Sequence, residues 1–179
     1  NGCSASSSLS VTVYIPSLTL TLPSSICLGG TINLSASGAN SYTWNTGSTS
    51  SSISVSPAAS GSYSVQALTN FPGLTCSSAG TTSVTVNSLP VVTALATKTI
   101  VCKNSPSTTL TAGGALTYVW SNSSTLQSVV VAPAVTTVYT LTGTNANNCS
   151  NSATIQIMVD PCTGIHENSL QGNQTIVVY

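Results

Sequence analysis

The sequence predicts an all-β protein, two tandem β-sandwich domains with an extra strand-like segment at each end, and three observations carry that prediction. Apolar and hydroxyl residues alternate with a period of two through most of the chain, one pattern of residues occurs twice, and no stretch has the helical period of about 3.6. The 179 residues exceed one minimal sandwich of about 100 and fit two compact domains of about 70 to 80 residues.

Composition narrows the surface and the partners. Charged residues make up 2% of the chain, against roughly 25% in an ordinary soluble protein, and reduce to Lys98, Lys103, Asp160 and Glu167. Hydroxyls and amides must therefore form the surface, and Thr, Val and Ile favour strands over disorder. A formal net charge of zero leaves no repulsion between copies, so the expected partners are copies of the chain itself. The same neutrality argues against nucleic acid, which needs basic residues against phosphates. No apolar run approaches the 18 or so residues of a membrane span, so no membrane insertion is expected. Residue 1 opens on Asn-Gly-Cys without a basic or hydrophobic leader, and the expectation is that any signal peptide has been removed.

The repeat sets the domains. Cys27 falls against Cys102, and from Leu34 with Leu110 the offset is 76 (110 minus 34) through Gly38 with Gly114, Tyr42 with Tyr118, Trp44 with Trp120, Pro57 with Pro133 and Tyr63 with Tyr139. It slips to 73 (149 minus 76) at Cys76 with Cys149. Subtracting 73 again aligns Cys3, Val11 and Val13 with Cys76, Val84 and Val86, so 1–15 reads as the last strand of a missing repeat or as a donor strand. The expected layout is a first domain over 16–89, a second over 90–160 and a tail over 161–179.

Alternating runs bounded by Gly, Asn, Ser and Pro place strands at 17–22, 31–37, 41–45, 52–56, 61–68 and 81–87, then at 91–97, 107–112, 116–120, 127–131, 136–143 and 152–159. Trp44 and Trp120 on the third strand, with Tyr63 and Tyr139 opening the penultimate one, match the layout of an immunoglobulin-like sandwich and are expected in its core. Stacking on a sugar is the functional alternative for these rings. Equivalent placement in both units favours the core.

These residues carry a resemblance. Ile26-Cys27-x-Gly with Leu34, Gly38-Ala39-x-x-Tyr42-x-Trp44, Pro57-x-x-x-Gly-x-Tyr63-x-Val65 and Asn147-Asn148-Cys149-Ser150 resemble the immunoglobulin-like and PKD-like repeats of Bacteroidota surface proteins, over nearly residues 1 to 160. The tail, Cys162-Thr-Gly-Ile-x-Glu167-Asn168 and Thr175-Ile-Val-Val-Tyr179, is similar to the linker before a type IX secretion sorting domain. The resemblance implies export across the outer membrane, and a chain ending at Tyr179 implies a sorting domain removed there or a boundary of the described sequence. Such repeats occur in adhesins, filaments and spacers, so the fold alone assigns no ligand.

The six cysteines, with one Met and no Cys-x-x-Cys spacing, read as disulfides formed in an oxidising, extracellular setting. The default pairing is Cys27 with Cys76 and Cys102 with Cys149. The alternative joins Cys27 to Cys149 and leaves Cys76 and Cys102 for neighbouring subunits, because the default places each pair at opposite ends of a sandwich. Cys3 and Cys162 lie outside both units and are expected to bond each other between copies.

Catalytic chemistry has little to draw on: two acids, two lysines and the lone His166. His166 and Asp160 sit six residues apart in a Pro-flanked linker without a nucleophile elbow, and Asp160 with Glu167 lacks a sugar cleft. No catalytic site, cofactor or metal is expected. The function expected is a structural subunit of an extracellular filament or surface assembly, joined by β-strand addition through Leu9, Val11 and Val13 or Ile176 and Val178. The alternatives are an adhesin or carbohydrate-binding module, for which Phe71 and Tyr14 are the loop aromatics and glycans or other cell-surface components the partners, or spacer repeats of a larger secreted protein.

Overall fold

A computed structural model describes Cys3 and residues 17–162. Every regular element among them is a strand, because β-branched and hydroxyl residues at a period of two fit a pleated surface with one buried face. The chain divides between Asn87 and Ser88 into two compact units.

In the first unit β1 (Thr19–Leu20), β3 (Ile32–Ser37) and β5 (Ser52–Val55) form one sheet in the order β1-β3-β5. The other sheet, β2-β7-β6-β4, holds β2 (Ser24–Cys27), β7 (Leu74–Asn87), β6 (Gly61–Phe71) and β4 (Ser41–Trp44). The second unit repeats the plan. Its sheets are β8 (Thr93–Ala96), β10 (Thr108–Gly113) and β12 (Ser128–Val131), and β9 (Ile100–Cys102), β14 (Ser150–Asp160), β13 (Thr137–Thr144) and β11 (Thr117–Trp120). All pairings are antiparallel except β2 with β7 and β9 with β14. Each unit is a two-sheet, immunoglobulin-like sandwich.

Each sandwich has its own core. Leu34, Trp44, Val65 and Val84 pack in the first, and Leu110, Trp120, Leu141 and Ile157 in the second. Trp44 and Trp120 are 2% and 1% exposed, and each indole N–H donates to a backbone carbonyl, Ser50 O at 2.8 Å and Leu126 O at 3.0 Å. Tyr139 is buried, whereas Tyr63 is half-buried against its core. Tyr42 and Tyr118 each tie back three residues: Ala39 N–H donates to the Tyr42 hydroxyl, which donates to Ala39 O, and Ala115 and Tyr118 do the same. That local clamp sits where Gly38 and Gly114 take positive φ of 95° and 83°. A Cβ there would lie 1.8 Å from Ser17 O or 1.7 Å from Val91 O, so only glycine fits.

The turn after β4 is made twice with different residues. Gly47 N–H donates to Trp44 O in the first unit, and Ser123 N–H to Trp120 O in the second, both turn residues at positive φ (85° and 67°). The slip in the repeat comes from the β6–β7 hairpin. It closes on a two-residue Pro72-Gly73 turn between Phe71 and Leu74, whereas β13 and β14 join through a loop in which the Asn145 side chain accepts from Asn147 and Cys149 N–H. β7 consequently begins at Leu74, well before the expected 81, and β2 and β9 had no counterpart among the expected strands.

The cysteine expectations need correction. Cys76 is a free thiol, as is the exposed Cys3, while Cys102 bonds Cys162 with a Cα separation of 5.4 Å. Cys27 and Cys149 are disulfide-bonded as well. The default pairs fail on distance. Cys27 lies opposite Asn87 at the far end of β7, 11 residues from Cys76 (87 minus 76), roughly 36 Å at about 3.3 Å per residue. A disulfide needs Cα atoms within about 7 Å. Cys102 lies opposite Asp160, 11 residues from Cys149 (160 minus 149), and is excluded in the same way. The expected Cys3 to Cys162 bond, and a Cys102 left for a neighbouring subunit, give way to a bond closed within the unit.

Candidate functional site: open sheet edges and cysteine positions

Among the described residues the four sheets have eight edge strands, β1, β5, β2 and β4 in the first unit and β8, β12, β9 and β11 in the second. Sheet edges expose unpaired N–H and C=O groups, and proteins blunt them with lysine, proline or inward charges. None of these eight carries a charged residue or a proline: they read TL, SISV, SSIC, SYTW, TALA, SVVV, IVC and TYVW. Lys98 and Lys103 flank β9 without lying in it. On the β12 edge, SVVV, Val130 is 66% exposed.

The outward positions distinguish the units. Ile100, Met158, Val138 and Val119 lie on the four strands of the second unit's larger sheet, all at least half exposed. The equivalent positions of the first unit hold Ser25, Thr85, Ser62 and Thr43, all exposed. Val130 replaces Ser54 on the other sheet in the same sense. A shallow groove of about 460 Å³ opens beside β11, lined by Leu116, Thr117, Tyr118, Val119, Thr125 and Gln127. Of these, Thr125 and Gln127 belong to the stretch of chain between β11 and β12.

Asp160 holds the turn that follows β14. It ends β14, its carboxylate accepts the Cys162 N–H at 2.7 Å, and its carbonyl accepts the Lys103 N–H at 2.8 Å. The turn brings Cys162 back to Cys102, the residue opposite Asp160. Among the described residues no three His, Cys, Asp or Glu side chains converge as metal ligands would, and no helix is long and apolar enough to cross a membrane. Phe71 is half-buried at the end of β6. Leu9, Val11, Val13, Tyr14, His166, Glu167, Ile176 and Val178 lie outside the described residues. The open edges escaped sequence reasoning, which placed the joining strands at the termini; the signal available was the absence of charge from every expected strand run.

No protein-family model and no curated protein matches the chain. Among solved structures, the fibronectin(III)-like modules of Clostridium thermocellum CbhA are 16% identical at a TM-score of 0.39, over 86% of this chain and 100% of theirs. The amphioxus IgVJ-C2 molecule is 13% identical at a TM-score of 0.33, over 75% of this chain and 99% of its own. A bacterial ice-binding adhesin is 15% identical at 0.36, over 84% of this chain and 67% of its own.

Proposed function

We propose that the protein is a non-catalytic structural module of an extracellular surface assembly, in which copies join by β-strand addition at open sheet edges. The observation that carries this reading is the lack of any charge or proline in all eight edge strands of the described residues. A zero net charge removes the long-range repulsion that would otherwise hold copies apart. Strand addition supplies main-chain hydrogen bonds and buries alternate side chains for register, the pattern of Leu9-Ser-Val11-Thr-Val13 and of Ile176-Val-Val178. The disulfides favour an oxidising location, and export to the cell surface by a type IX route is part of the same reading.

Size-exclusion chromatography and negative-stain electron microscopy of the purified chain test it. Concentration-dependent oligomers or filaments are expected. Two-domain monomers persisting at high concentration would sink it, and retention on a glycan array by such monomers would transfer the groove beside β11 to a carbohydrate.

A further inference from the structure

The cysteines of both sandwiches occupy two positions in the fold. One is the end of the edge strand that pairs in parallel with the last strand, Cys27 on β2 and Cys102 on β9. The other is the opposite end of that sheet, Cys76 near the start of β7 and Cys149 just before β14. The two positions of one unit lie roughly 36 Å apart, so neither can serve the other. Cys149 is nevertheless a half-cystine, so the position it shares with Cys76 does take a sulfur partner in this fold. Cys76 alone of these four is a thiol.

Cys162 is the exception to the scheme. Counting from the paired residues Asn87 and Asp160, its equivalent in the first unit is Leu89, and Cys27 is disulfide-bonded without a cysteine there. The edge-strand position therefore does not depend on a cysteine two residues past the last strand. Cys162 is exposed, Cys102 is half-buried, and Cys76 is half-buried on the hairpin.

We propose that Cys162 caps Cys102, and that on assembly Cys76 of a second copy displaces it by thiol–disulfide exchange. The Cys76 thiolate attacks Sγ of Cys102, a Cys76–Cys102 bond forms between copies, the Cys102–Cys162 bond breaks, and Cys162 leaves as a thiolate that takes a proton. One disulfide forms for one broken and one thiol appears for one consumed, so the step needs no oxidant. It joins the first unit of one copy to the second unit of another, head to tail, a heterologous contact that propagates. This inference rests on the assembly reading and adds a covalent lock to it.

The full chain is incubated without oxidant under anaerobic buffer, quenched by alkylation, and analysed by non-reducing gels and disulfide peptide mapping beside electron microscopy of the same sample. A ladder is expected, with Cys76 linked to Cys102 and Cys162 alkylated in equal amount. Cys76→Ser should lower the cross-linked fraction at least tenfold with an unchanged melting temperature, and Cys3→Ser should leave it intact. Cys76→Ala, which loses the thiol without gaining a hydroxyl, provides the second variant if the first unfolds. Cross-links surviving both substitutions, or Cys76 found linked to Cys3 or to another Cys76, would overturn the exchange. Assemblies visible by microscopy without any Cys76–Cys102 peptide would sink the exchange alone, whereas neither assembly nor cross-link would sink both readings.

Discussion

Removing the Cys102–Cys162 bond tests how the second sandwich is held. The bond spans a sequence separation of 60, from edge strand β9 to just past β14, so in the unfolded chain it encloses most of the unit. Loop-closure entropy for about 60 residues is worth about 4 kcal/mol at 25 °C. The native contribution of β9 is smaller. Its three residues bury one side chain, Val101 at 3% exposure, worth about 1.5 to 3 kcal/mol, and its register is flanked by the Met158 N–H to Thr99 O and Lys103 N–H to Asp160 O bonds. A Cys102→Ser/Cys162→Ser double variant, which leaves no new thiol, should therefore lose about 4 kcal/mol from the global stability of the second unit. The β9 edge should also fray below that level. Native-state hydrogen exchange read by mass spectrometry separates the two effects: the slowest amides of β13 and β14 report the global loss, and those of Met158 and Lys103 the local one. The first unit should be unchanged. A loss below about 1 kcal/mol, or an equal loss in β6 and β7, would refute the assignment of the bond to the second unit's unfolded-state entropy.

Other expectations follow from single contacts. Leu110→Ala, at 0% exposure in the second core, should cost about 2 to 5 kcal/mol by denaturant titration, and Leu34→Ala in the first core a similar amount. Tyr42→Phe and Tyr118→Phe should each lose about 1 kcal/mol, and nearly the same amount, because the two hydroxyls make the same pair of backbone bonds; unequal losses would break the equivalence of the units. Ser123→Gly should raise the melting temperature of the second unit, by relief of about 1 kcal/mol of left-handed strain at φ 67°. Val130→Lys on β12 should reduce oligomer formation in sedimentation experiments while leaving stability within about 0.5 kcal/mol, since the side chain is exposed. Raising salt from 0.1 to 1 M should leave the assembly intact, because no charge lies in any edge strand.

Alternation and repetition determined the larger part of the fold from sequence alone. A period of two places Leu34, Trp44, Val65 and their equivalents on one face wherever a strand is long enough to show it, and burial of that face follows from the hydrophobic effect without knowledge of partners. The repeat aligned Trp44 with Trp120 and Gly38 with Gly114, which take equivalent places in the two units. Tertiary structure alone decided β2 and β9. Ser24-Ser25-Ile26-Cys27 and Ile100-Val101-Cys102 are too short to show a period, and they become strands only because β7 and β14, remote in sequence, offer a parallel edge. The start of β7 was hidden likewise, since Thr75-Cys-Ser-Ser-Ala-Gly80 has small polar residues that pair only because β6 runs alongside. Disulfide connectivity belongs to the same class. Six cysteines in a row allow many pairings, and the choice turned on which residue of the last strand lies opposite Cys27 or Cys102, a register that no spacing along the chain encodes.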